Sequence, residues 1–173
     1  MLRPVLKDVS NAVHDPNAKS EVEYLEALLA SRRAAQGWQP RNHDASRENL
    51  LQGAEGAGLF GAATLLRFAS RVLGADWHGV STWVVLRAIH DAEQYIRDAV
   101  DGGDDMNVVD LRVSAIRLRL GISGIHDIVN LCGRPRGDGV SDADPQAAKV
   151  AAEALENAAS KCFKLALQAM DHG

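Results

Sequence analysis

Apolar residues from Val108 to Cys132 recur at alternating steps of three and four: Val108, Leu111, Ala115, Leu118, Ile122, Ile125, Val129 and Cys132. That spacing keeps them on one side of an α-helix, so the stretch predicts a buried seam about seven turns long. A second row, Val109, Val113, Ile116 and Leu120, widens the apolar surface, and neighbours must then cover it from more than one side. The expectation is an all-α, single-domain bundle of about five main helices around a central helix near 107–132.

The same period marks the other helices. Residues 20–36 carry Val22, Leu25, Leu28 and Leu29 behind a capping box of Ser20 and Glu23, with Gly37 as the stop. Residues 46 to about 73 carry a thin seam of Leu51, Ala54, Gly58, Gly61, Leu65, Phe68 and Val72. Each of Gly53, Gly56, Gly58 and Gly61 costs a helix about 1 kcal/mol relative to alanine, so something must offset them. Either a neighbouring backbone comes close, or the stretch is a hinge. Close packing is the preferred reading, because the small residues fall on the seam itself. Gly121 and Gly124 form a matching thin region, which predicts that the two helices cross there. Val85, Ile89, Ala92, Ile96 and Ala99 set a helix over 82–100, and Asp144 before Pro145 starts an alanine-rich helix to about Met170. Residues 1–18 read as an arm or short helix, the acidic turn 101–105 as a cap for the next helix, and 133–143 as a flexible loop.

Composition narrows the class. Hydrophobic residues are 46% and charged residues 24%, the balance of a folded domain rather than a disordered chain. A net charge of -4 argues against broad nucleic-acid binding. Cys132 and Cys162 both fall on apolar helix faces, so no disulfide framework is implied. The first fifteen residues lack a signal-peptide core, and the longest uncharged run, Gly56 to Leu66, is short of a membrane span of roughly 20 residues. A cytoplasmic protein is expected.

Candidate chemistry centres on the same stretch. Arg119, Ser123, His126 and Asn130 follow one another at steps of four, three and four, with Arg112 seven residues earlier, and would share one face of a continuous helix. Arg119 and His126, with six residues between them, resemble the R-x(4-6)-H motif of HEPN-family ribonucleases. The resemblance implies that the two would act on RNA across a dimer interface. The residue following the motif arginine, polar in many members of that family, is Leu120 here.

His-Asp dipeptides recur at His14, His43, His90 and His126. They resemble the adjacent ligands of HD-family metal phosphohydrolases, which are also all-helical. That resemblance implies a divalent ion held by His90, His126, Asp127 and Asp144 to activate water. Adjacent residues on a regular helix point about 100 degrees apart, so convergence requires a kink near Gly124. Glu23 and Glu26 resemble the first E-x-x-E of MazG-like nucleotide pyrophosphatases, but no second acidic pair follows.

Plainer readings stand beside these. Arg87 with Asp91, and Glu93 with Arg97, are spaced as ordinary i,i+4 ion pairs, and His90 can join them. Residues 108–136 hold five arginines against two aspartates, an excess that suits a phosphate, an acidic partner, or internal pairing with the preceding helix. The expected function is therefore a non-enzymatic interaction or regulatory protein that binds another protein or itself, homodimerisation through an uncovered seam being one form. It needs no cofactor. The alternative is a small phosphohydrolase using His126 with Arg119 or Asp127, metal-dependent in its HD form and acting on RNA in its HEPN form.

Overall fold

The computed structural model describes residues 16–36, 47–75, 82–100, 106–133 and 145–171. They form six helices, and there is no strand among the described residues: α1 (Pro16–Gln36), α2 (Arg47–Ala75), α3 (Thr82–Val100), α4 (Met106–Leu120), α5 (Ile122–Gly133) and α6 (Pro145–Asp171). None of them is long and apolar enough to cross a membrane. Residues 1–15 of the expected arm or short helix, the acidic turn 101–105 and residues 134–143 of the expected loop lie outside the described residues.

The enclosed element is α2. Leu59, Ala62, Leu65, Leu66, Phe68, Ala69 and Leu73 are all buried, and with Ala57 and Ala63 they cover most of the helix circumference, leaving one side, with Arg67 and Arg71, exposed. Three neighbours surround it, all running antiparallel to it. Against α6, Ser70 Oγ donates to the Ala152 carbonyl at 2.7 Å and Cys162 Sγ to the Leu59 carbonyl at 3.3 Å. Burial pushes the Cys162 thiol up to about 12, so it packs as a small hydrophobe. Against α1, the Tyr24 and Phe68 rings pack with centroids 6.1 Å apart. Against α3, the fit depends on glycine.

The glycines of α2 are spacers for these three crossings. A Cβ at Gly56 would lie 2.8 Å from Met170 Cγ and 3.1 Å from the Ala166 carbonyl of α6. One at Gly58 would lie 2.5 Å from Ala99 Cβ of α3, and one at Gly61 would lie 3.0 Å from the Ser31 carbonyl of α1. Close packing is thus the correct account of this stretch, and the helix runs through it without a hinge. The expected crossing partner is not found. Nothing lies within 4 Å of a Cβ at Gly121 or Gly124.

The continuous central helix near 107–132 is also corrected. Gly121 adopts φ +73°, in the left-handed region that glycine enters without strain, and its N–H donates to the Leu118 carbonyl at 3.1 Å. That closing turn ends α4, and α5 starts afresh at Ile122. The buried face of α4 is the second row, Val109, Val113 and Leu120, while beyond the break Ile122, Ile125, Val129 and Cys132 turn inward. The first half of the expected seam therefore faces away: Val108 is 45%, Leu111 72% and Leu118 76% exposed.

Two smaller differences have similar causes. Helix α1 begins at Pro16, four residues before the expected cap, because proline at a helix start forfeits no hydrogen bond. Its buried residues are Ser20, Tyr24 and Ser31, whereas Leu25 and Leu29 are exposed.

Candidate functional site

Charged side chains of α3, α4 and α5 meet at Glu93. His126 Nε2–H of α5 donates to Glu93 Oε1 at 3.0 Å, and Arg117 Nη2 of α4 lies 3.6 Å from the same oxygen. Glu93 reaches this point because α3 buries Val85, Ile89, Ala92 and Ile96 and turns its polar side toward the α4–α5 corner. The Gly121 break lets α5 carry His126 back to the same carboxylate. Burial pushes the Glu93 carboxyl up, but the hydrogen bond from His126 and the positive charge of Arg117, His126 and His90 outweigh it, so its pKa is lowered. A carboxyl lowered on folding contributes stability above its unfolded pKa, and that contribution is lost as pH falls toward the folded value.

The cluster contains only part of the sequence-derived site. His126 belongs to it, and exposed His90 acts on Glu93 through its charge. Arg119 does not. It lines a cavity of about 240 Å³ with Glu55, Leu59, Ile116, Leu165 and Gln168, on the opposite flank of α4 from Arg117. Ser123, Asp127 and Asn130 are exposed on α5, and the break at Gly121 removes the shared face that would have aligned them with Arg119. Asp144 lies outside the described residues, and among the described residues no three His, Cys, Asp or Glu side chains converge as ligands for a metal ion. Glu23 is half-buried and pairs with exposed Lys19 at 4.0 Å, as an ordinary i,i+4 contact.

The expected i,i+4 pairs of α3 are replaced by contacts between helices. Arg97 leaves Glu93 and donates to Asp110 of α4 at 2.7 Å. Arg87 leaves Asp91, approaches Glu21 of α1 at 3.8 Å, and lies over the Tyr24 ring at 4.9 Å. The sequence carried no signal for Glu93 or Arg117 as partners of His126, because cross-helix pairing depends on the turn at Gly121. In chemical terms the cluster is an imidazole oriented by a carboxylate with a guanidinium alongside, and both groups are already engaged by Glu93.

A different kind of surface lies on the outer side of α4. Val108, Leu111, Ala115 and Leu118 form an exposed apolar stripe at steps of three, four and three, with Arg112 and Arg119 along one flank. Glu55 stands beyond that flank, its carboxyl raised by burial and drawn back down by the charge of Arg112. Arg112 and Arg119 thus place two guanidiniums along this flank. Compared with family models, curated proteins and solved structures, the chain has no match in any of the three.

Proposed function

We propose that this chain is a non-enzymatic interaction protein, one helical domain acting in the cytoplasm, whose α4 stripe receives an amphipathic helix of another protein. The observation that carries the reading is the outward placement of Leu111 and Leu118, at 72% and 76% exposure. Large apolar side chains set at coiled-coil spacing on one bare helix face are the usual equipment of a helix-docking surface.

Charge selects the occupant. The flank holding Arg112 and Arg119 calls for acidic residues on the partner helix. A second copy of this chain does not supply them. Packed antiparallel across the stripe, two copies would set Arg112 and Arg119 against each other; packed parallel, they would set these arginines against Asn107 and Ser114. The partner is therefore a different protein, offering leucine-type anchors with glutamate or aspartate along one edge.

Two synthetic helical peptides test this, sharing a leucine seam and differing in a glutamate or lysine flank. Fluorescence anisotropy should show the glutamate peptide binding the full chain at least about tenfold more tightly, a difference of about 1.4 kcal/mol. Leu118→Asp should abolish that binding. His126→Ala, which removes the base of the alternative hydrolase, should leave it unchanged. Equal affinity for the two peptides would defeat the charge argument, and concentration-dependent dimerisation lost in Leu118→Asp would hand the stripe to a second copy. The hydrolase reading keeps one supporting feature, the orientation of His126 by Glu93, and cleavage of RNA or nucleotides by wild type but not by His126→Ala would favour it.

A further inference from the structure

The cavity of about 240 Å³ that Arg119 lines lies among α2, α4 and α6, directly beside the α4 stripe. Glu55 of α2 stands at its base, Ile116 and Arg119 of α4 on one side, and Leu165, Gln168 and Ala169 of α6 on the other. Ile116 and Arg119 each follow a stripe residue, Ala115 and Leu118, by one position. At about 100 degrees per residue, the cavity therefore opens along the arginine flank, next to the surface that receives the partner helix. Its lining is within reach of a docked group, since Glu55, Ile116, Leu165 and Ala169 are half-buried and Arg119 and Gln168 are exposed.

Size and charge narrow what fits. Pockets for free drug-sized ligands hold roughly 300–1,000 Å³, so this smaller one suits a single side chain offered by a docked partner. Glu55 makes no hydrogen bond or ion pair among the described residues, and burial raises its carboxyl more than the charge of Arg112 lowers it. The carboxylate is thus short of donors. Arg119 likewise has no hydrogen bond or ion pair among the described residues.

Three kinds of side chain fit poorly here. An acidic one would meet Arg119 but bring a second carboxylate against Glu55, and a basic one would meet Glu55 but face Arg112 and Arg119. An aliphatic one would take water from Glu55 and offer no donor in return. Tryptophan avoids each fault, being neutral, apolar over most of its surface, and equipped with an N–H that only donates. Of the aromatic side chains that carry a donor, it also has the ring face that attracts a guanidinium most strongly.

We infer that the partner helix of the α4 stripe carries a tryptophan on its acidic edge, which enters this cavity. Its ring packs against Ile116, Leu165 and Ala169 with a face toward the Arg119 guanidinium, and its indole N–H donates to Glu55. The inference rests on the stripe being the docking surface and names the side chain that anchors the partner there.

The glutamate-edged leucine peptide is the probe, with tryptophan or alanine in place of each glutamate in turn, and fluorescence anisotropy follows its binding to the full chain. At one edge position tryptophan should bind at least about tenfold more tightly than alanine, and at the others the two should be alike. Methylating the indole nitrogen at that position should weaken binding about tenfold. In Glu55→Leu the methylated and plain peptides should bind equally, while retained binding of the alanine peptide shows that the variant is folded. Arg119→Gln, at an exposed position where folding is not at stake, should cut the advantage of tryptophan over alanine about two- to fivefold. Alanine peptides that bind with no gain from tryptophan at any position, a methylation effect that persists in Glu55→Leu, or an unchanged advantage in Arg119→Gln would each overturn the anchor and leave the stripe reading standing. No binding by any of the peptides would remove the stripe reading, and the anchor with it.

Discussion

Gly58→Val is expected to lower stability by about 3 kcal/mol, which for a chain of this length lowers Tm by about 6–12 °C. In an isolated helix the substitution would help slightly, because glycine is the poorest helix former apart from proline. Here the first added carbon would already sit 2.5 Å from Ala99 Cβ, 3.0 Å from the Tyr95 carbonyl and 3.3 Å from Ala99 Cα. Those are backbone atoms or atoms fixed to them, so relief requires α2 and α3 to move apart, which would also open the contacts of Leu59, Leu65 and Ile96. Gly124→Ala provides the opposite sign. Nothing lies within 4 Å of its added Cβ on α5, so the helix-propensity gain of about 0.5–1 kcal/mol should appear unopposed. Denaturant melts of the two variants would check the pair, and a stable Gly58→Val would mean that α2 and α3 do not approach as closely as described.

Leu65→Ala is expected to remove about 3 kcal/mol, while Leu118→Ala changes stability by less than about 0.5 kcal/mol. The same atoms are deleted in both. Leu65 is fully buried in α2, so its loss leaves a cavity among side chains that cannot collapse into it. Leu118 is 76% exposed, and its truncation removes little that packing holds. Chemical denaturation measures both values. Similar large losses would place Leu118 in a core, as a continuous helix over 107–132 would require, and would remove the basis for a docking face on α4.

The contrast between Leu65 and Leu118 shows where the sequence is legible. Through Gly58, Gly61, Leu65, Phe68 and Val72 the apolar period identifies a buried face correctly, because no residue in that run changes the helix phase. Glycine in the run even marks where neighbours come close. The same period read from Val108 to Cys132 selects the wrong face for α4, since Gly121 resets the phase and the sequence offers two apolar rows to choose from. A single glycine inside a helical pattern is compatible with continuation or termination, and local spacing does not decide between them.

The charged residues are less legible for a related reason. Arg87, Asp91, Glu93 and Arg97 are spaced to pair along α3, yet all four find or lose partners according to what α1, α4 and α5 bring alongside. His126 can be singled out from its neighbours in sequence, but Glu93 lies 33 positions away and becomes its partner only after the chain has turned at Gly121. Asp91 is the converse case, since its partner is present in sequence and withdrawn in the fold.

Hydrogen exchange of the backbone amides, resolved helix by helix, tests most directly whether α2 is the enclosed element and α4 a peripheral one with a bare outer side. The amides of α2 from residue 57 to 73 should exchange slowest, through global unfolding, and those of α4 at least about tenfold faster through local opening. Amides of 107–120 protected as strongly as those of α2, and continuously through Gly121, would contradict it.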